Sequence, residues 1–359
     1  MRVPLWCVLA CGIVRIAAAQ DSTVSFQEAR AVTVSGFAVG SYDWDRNARS
    51  NTFAGSKIAL SLFRPWSDNL YLFGQLTTSL ITDETTGEPV TEIEIDNLIV
   101  SWAPPGASSW NFTFGRFDAP IGFERDDEPL NLLPTNSFNF ELARPAKLTG
   151  AIARYVASPT IAVAAYVANG WHVELDNNRG KTAALRLDLL PAEGLAIGLN
   201  AVHGPEVAGT DAQQRTLLAL DATFQPISRL ILGLEVNHGR QLVGGGVTST
   251  WTGAAGTAFW RLGRSVGVTV RGETLRDEDG VATSTAQTLQ SLTISPWYFY
   301  REAQEGIFSS IERTSFRLPA FSLRPAVRID HSNQPVFETA SGGFRDTNLR
   351  GILELVYVF

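Results

Sequence analysis

The alternation of side chains along the last twelve residues constrains this chain more than any other feature. Counting back from the end, Phe359, Tyr357, Leu355, Leu353, Gly351 and Leu349 are all apolar or glycine. The intervening set holds Asn348, Arg350 and Glu354 beside Ile352, Val356 and Val358. Alternation at period two belongs to a strand with one wholly apolar face and one face that tolerates charge. A terminal strand with a bare apolar edge invites aggregation. Closing a barrel removes the edge, and lipid then accepts the apolar face. The alternative is a half-buried strand of an ordinary soluble sheet.

The rest of the chain repeats the pattern in segments of about ten residues, the length of a tilted membrane strand. Ala183, Leu185, Leu187 and Leu189 oppose Arg186 and Asp188; Leu218, Leu220, Ala222 and Phe224 oppose Asp221. Leu232, Leu234 and Val236 oppose Glu235, and Val266, Val268 and Val270 oppose Arg271 and Glu273. Phe321, Leu323, Val327 and Ile329 oppose Arg324, Arg328 and Asp330. Soluble sandwiches rarely set charges mid-strand this often, whereas a wet lumen accommodates them. In 92–102 the phase slips near Asn97, as a bulge would make it do.

Connections alternate as well. Short ones with Pro, Gly or Ser (64–68, 103–109, 158–159, 191–194, 225–229, 263–264) separate longer polar ones (43–51, 82–91, 169–181, 204–214, 239–250, 276–286). Tight turns on one side and longer loops on the other are the asymmetry of outer-membrane barrels. The expected fold is all-β: one transmembrane antiparallel up-and-down barrel over residues 20–359, with about 16 strands. Counts of 14 or 18 are the alternatives, because 299–319 is too long for a short turn and could hide a hairpin. Trp66, Trp102, Trp110, Trp260 and Trp297 fall near the short turns, and Trp44, Trp171 and Trp251 near the longer loops. Two interfacial aromatic belts are expected from that placement.

Composition fits. Hydrophobic residues are 45% of the chain and mean hydropathy is only +0.02, because alternation conceals a barrel's apolar face. Beyond residue 20 no apolar run approaches the roughly 18 residues of a spanning helix. The formal charge of −7 and pI near 5.2 argue against nucleic-acid partners, which select basic faces. Residues 1–19 read as a secretory signal: Arg2, an apolar stretch from Val3 to Val14, then Ala17, Ala18 and Ala19, with Arg15 a late charge. Cleavage before Cys11 as a lipoprotein would leave too short an apolar region. Without Arg2 and Arg15 the balance is 27 basic to 36 acidic side chains, a formal −9. Cys7 and Cys11 both fall in that segment, so neither a disulfide framework nor a thiolate metal site is expected.

The charges on the alternate face form the candidate lumen wall: Arg154, Arg186, Asp188, Asp221, Glu235, Arg271, Glu273, Arg324, Arg328, Asp330, Arg350 and Glu354. Six are basic and six acidic, so the wall alone predicts no ion preference, and cross-strand pairs would look the same. The longest loop, 117–147, carries Asp118, Glu124, Arg125, Asp126, Asp127, Glu128, Glu141, Arg144 and Lys147, stiffened by Pro120, Pro129, Pro134 and Pro145. A loop this long is usually functional; it is expected to fold inward as a constriction, the alternative being a solvated external loop. No cofactor is expected. The histidines His172, His203, His238 and His331 are widely spaced and form no metal or H-E-x-x-H motif. Gly244, Gly245 and Gly246 precede a strand rather than a helix, so they make no phosphate cradle. A triad assembled from distant residues keeps a barrel hydrolase as an alternative, and a non-conducting anchor or adhesin is another.

Three stretches carry a resemblance. They are Ser35-Gly36-Phe37-Ala38-Val39-Gly40-Ser41-Tyr42-Asp43-Trp44, Phe114-Gly115-Arg116-Phe117-Asp118-Ala119-Pro120-Ile121-Gly122-Phe123-Glu124, and Leu323-Arg324-Pro325-Ala326-Val327-Arg328-Ile329-Asp330-His331-Ser332. With these the chain resembles the bacterial outer-membrane β-barrel porins of the OmpL-like type, β-barrel porin-2, with Arg116 in place of the family's lysine and Ala326 where glutamate is usual. The resemblance implies passive transport of ions or small polar solutes across the outer membrane of a Gram-negative bacterium. The expected partners are outer-membrane lipid and the barrel-assembly machinery, the latter reading Tyr357 and Phe359. A homo-oligomer is left open, since lipid-facing and subunit-facing residues look alike.

Overall fold

The computed structural model describes residues 31–82, 89–107, 109–302 and 313–359. The expected signal segment 1–19 lies outside them, as does 303–312 of the ambiguous stretch. Barrel strands β1 to β5 are Thr33–Asp45, Ser50–Ser67, Leu70–Thr82, Pro89–Trp102 and Trp110–Asp118. Strands β6 to β10 are Lys147–Ser158, Ile161–Ala168, Thr182–Ala192, Leu195–Val207 and Thr210–Ile227. Strands β11 to β15 are Leu230–Leu242, Thr248–Arg261, Val266–Asp277, Gln287–Glu302 and Pro319–Ser332. A small hairpin, β16 (Phe337–Glu338) and β17 (Phe344–Arg345), precedes the last barrel strand, β18 (Thr347–Val358). The sixteen barrel strands form one closed antiparallel sheet in which β1 pairs with both β2 and β18.

Closure depends on the end of the chain. Gly36 N–H donates to Phe359 O at 2.8 Å and Phe359 N–H donates back to Gly36 O at 2.9 Å. A Cβ at Gly36 would lie 2.3 Å from Ala59 O and 2.7 Å from the Phe359 ring, so glycine lets the first and last strands meet. In β7 Ile161, Val163, Ala165 and Val167 face outward, while Ala162, Ala164, Tyr166 and Ala168 are buried inside. The phase slip in β4 is a bulge: Gln75 pairs with Asn97 but Leu76 pairs with Ile95, and Asp96 and Asn97 are both buried. The extra residue places one more polar side chain inside the barrel.

Two expectations need correction. Segments 43–51 and 204–214 are mostly strand, joined by the turns 46–49 and 208–209. Their polar residues extend the ladder, whose backbone bonds are satisfied whatever the side chains are. The aromatic belts are smaller than expected. Trp66, Trp102, Trp110, Trp260 and Trp44 are exposed on the outside, but Trp251 and Trp297 are fully buried within and Trp171 is half-buried against Trp251. Trp297 shares parity with the buried Thr293 and Ser295, so its height matches a belt but its side does not.

Candidate functional site

Loop 119–146 leaves β5 at Asp118 and returns to β6 at Lys147, the last paired rung between those strands. Pro120 O accepts Arg186 Nη1 of β8 at 2.6 Å, and Phe123 N–H donates to Glu235 Oε2 of β11 at 2.8 Å. Glu124 accepts Arg271 Nη1 of β13 at 2.5 Å. Asp127 accepts Gln75 Nε2 of β3 at 2.8 Å, and Glu128 lies 3.2 Å from Lys57 Nζ of β2. Further along, Asn131 O accepts Arg324 Nη1 of β15 at 2.6 Å and Leu132 O accepts the Trp297 indole N–H of β14 at 2.9 Å. Phe138 N–H donates to Glu273 of β13 at 2.6 Å, and Ala143 O accepts the Trp251 indole of β12 at 3.0 Å. The loop thus runs inside the barrel and bonds to opposing walls.

Apolar anchors accompany these bonds. Ile121 joins Phe63, Phe73, Ile99, Phe117 and Tyr166; Leu132 joins Phe37, Ile231, Phe259 and Trp297; Phe138 and Ala143 join Trp251, Leu275 and Leu289. Full burial of such a side chain contributes about 1.5–3 kcal/mol, whereas a buried ion pair roughly cancels its own desolvation. The apolar anchors therefore hold the loop, and the ion pairs fix where it sits.

All twelve proposed wall charges lie on the inward-facing set of their strands, but most meet protein rather than open water. Arg271 donates to Thr135 O at 2.5 Å and Asn136 O at 2.9 Å; Arg328 donates to Asn136 O and Asp330, both at 2.7 Å. Arg324 pairs with Glu354 across β15 and β18. Arg186 binds Asp188 and Asp221, each at 2.8 Å. Arg154 and Arg350 are half-buried.

Of the loop charges, Arg144 pairs with Glu235 at 2.8 Å, and Lys147 sits among Asp96 at 2.6 Å, Asp126 at 3.3 Å and Asp118. Burial, and next the Asp118 carboxylate, push the loop's Asp127 carboxyl well above the usual range. Arg125 turns back on Gly122 O and Glu124 O, and Glu141 is exposed. The histidines are not brought together. His203, His238 and His331 are exposed and each shares a hydrogen bond with a neighbouring-strand threonine, and His172 stands on another loop.

Charge counting missed Lys57, Gln75, Asp96, Asn131, Trp251 and Trp297. Inward parity alone marks the five strand residues among them. Asn131 has no such signal: it pins the loop by accepting Arg125 N–H at 2.8 Å and donating to Arg125 O at 2.6 Å. The ambiguous stretch also contributes inside. Ser315 N–H donates to Gln225 at 2.7 Å, Phe316 packs edge-on to Phe259 with centroids 5.0 Å apart, and Arg313 donates to Asp188 at 2.7 Å.

Solved structures share this architecture. The outer membrane channel DcaP of Acinetobacter baumannii aligns with TM-score 0.62 at 10% identity, covering 91% of this chain and 97% of that one. The anion-selective porin from Comamonas acidovorans gives 0.62 at 9% identity, covering 92% and 99%. Salmonella typhi OmpF, in complex with daunomycin, gives 0.61 at 9% identity, covering 93% and 99%. No curated protein sequence matches the chain. The family model "Putative beta-barrel porin-2, OmpL-like" matches residues 71–359, most of the chain. The chain belongs to that family, and it is an outer-membrane porin.

Proposed function

We propose that this porin is a passive diffusion channel for ions and small polar solutes, narrowed by loop 117–147 and performing no chemistry. The supporting observation is the loop's attachment to facing walls, Lys57 of β2 and Gln75 of β3 on one side and Glu235 of β11 and Arg271 of β13 on the other. A loop so attached divides the lumen, and charged groups beside the remaining water select what passes. Tyr357 and Phe359, exposed on the outside of the closing strand, are the proposed signal for barrel assembly after removal of residues 1–19. Planar-bilayer recordings of the purified barrel test the channel: discrete conductance steps are expected. Absence of steps together with turnover of labelled lipid or peptide would instead favour a barrel hydrolase.

A further inference from the structure

The geometry points to a second constriction of the same lumen, at the end opposite the loop, formed by residues 313–318 with Phe316 as the side chain that anchors it. The inference rests on the channel reading, since a constriction acts only where solute passes.

Topology fixes which end this is. Residues 159–160, 193–194, 228–229 and 262–265 join β6 to β7, β8 to β9, β10 to β11 and β12 to β13. In an antiparallel ring the β14–β15 connection emerges at that same short-turn end, and loop 119–146, between β5 and β6, at the other. Short turns mark the periplasmic end of an outer-membrane barrel.

The segment crosses the opening instead of lining its rim. It enters β15 at Pro319, yet its contacts lie far round the wall. Ser315 N–H and Oγ both donate to Gln225 Oε1 of β10, at 2.7 and 3.1 Å. Arg313 donates to Asp188 of β8 at 2.7 Å and lies 3.7 Å from Asp221 of β10. β8 stands seven places from β15 in a ring of sixteen, one short of directly opposite. Seven strand spacings along the wall come to roughly 34 Å, whereas six extended residues reach only roughly 20 Å. The chain from Pro319 back to Arg313 must therefore cut across the lumen.

Aromatic packing holds it there. Phe316 is buried and sits edge-on to Phe259 of β12 at 5.0 Å and to Trp297 and Phe299 of β14 at 6.3 and 6.2 Å. The Arg261 guanidinium stands 5.7 Å from the same ring. Such contacts favour one ring orientation over others. Leu318 joins this cluster, and so does Leu132 of the loop, whose carbonyl accepts the Trp297 indole N–H at 2.9 Å. Trp297 thus touches the loop and the crossing segment at once. They meet again at β8, where Arg186 donates to Pro120 O of the loop at 2.6 Å and shares Asp188 with Arg313. Ser315, by contrast, is exposed and faces the water beside the segment. Two narrow passages in series each limit the current, and opening one leaves the other in force.

Cys7 and Cys11 are the chain's only cysteines, so a barrel of residues 20–359 carrying Ser315→Cys has a single thiol. Its conductance in planar bilayers is measured before and after a bulky methanethiosulfonate reagent, with labelling read by mass. Ser341→Cys, on the exposed hairpin at the loop end, is the comparison. Labelling should lower the conductance of Ser315→Cys by about half or more and leave that of Ser341→Cys unchanged. Unchanged steps from labelled Ser315→Cys, an equal response from the two variants, or a Ser315→Cys thiol that stays unlabelled overturns the constriction and leaves the channel standing. Phe316→Ala, with heat-shifted gel mobility confirming a folded barrel, should raise conductance, and raise it again in a barrel lacking residues 124–140. Unchanged steps in both backgrounds overturn its role as the anchor. No steps from wild type refute the channel reading and the second constriction with it.

Discussion

Arg144 Nε lies 2.8 Å from Glu235 Oε1, and both side chains are almost completely buried. The other carboxylate oxygen accepts Phe123 N–H at 2.8 Å, so one residue of β11 clamps both arms of the in-folded loop. Removing one member of a buried pair leaves the other uncompensated, at roughly 3–5 kcal/mol. Glu235→Ala should lower the barrel's stability toward urea in detergent and raise single-channel conductance with more open-state noise. A wild-type current trace from this variant would show that the clamp does not position the loop.

Gly122 sits beside that clamp with φ +83°. A Cβ there would lie 2.3 Å from Glu235 Oε2 and 2.5 Å from Arg144 Nε, in a backbone conformation that side chains adopt at a cost of about 1 kcal/mol or more. Gly122→Ala should reproduce the conductance phenotype of Glu235→Ala more weakly. In a double variant the two effects should be less than additive, because both act on one contact; full additivity would place Gly122 outside the clamp.

Leu132 carries the middle anchor, buried with Phe259 and Trp297. Leu132→Ala should cost roughly 2–5 kcal/mol of stability, read as a lower urea midpoint. Arg271→Met combined with Glu124→Gln, which neutralises both members of a buried charge pair whose net worth is small, is expected to lower it less. A larger loss for the Arg271→Met/Glu124→Gln double variant would reverse the assignment of apolar contacts as what holds the loop.

Asp127 makes loop docking depend on pH. Its carboxyl titrates higher in the docked loop than in a free one, so docking favours the protonated form. That contribution is complete below the ordinary aspartate range and is lost as pH climbs through the raised value. Conductance should accordingly increase with pH across that window, and Asp127→Asn should flatten the profile. An unchanged profile in Asp127→Asn would assign the pH dependence elsewhere.

Much of the fold is legible because barrel strands obey one rule along their length. The opposed sets at Leu185/Arg186 and Val270/Arg271 state which side faces in, and the slip at Asn97 announces its bulge. Parity also places the twelve wall charges inward. It does not say what they meet. Arg324 and Arg328 look like channel lining in sequence, yet loop carbonyls at Asn131 and Asn136 occupy them, and a carbonyl leaves no mark on the side-chain pattern. Trp297 was misplaced for a related reason: height along a strand suggested a belt, while its indole serves Leu132 O inside. Arg313 belongs to a stretch without alternation, so only the folded chain brings it to Asp188.

Single-channel conductance of the intact barrel against a variant lacking residues 124–140 tests the central claim most directly. Phe123 and Arg144 both contact Glu235, so the ends left by the deletion lie close together. A lumen divided by its own loop predicts small, discrete steps for the intact protein and several-fold larger ones for the deletion. Equal conductance and equal ion preference in the two would contradict it.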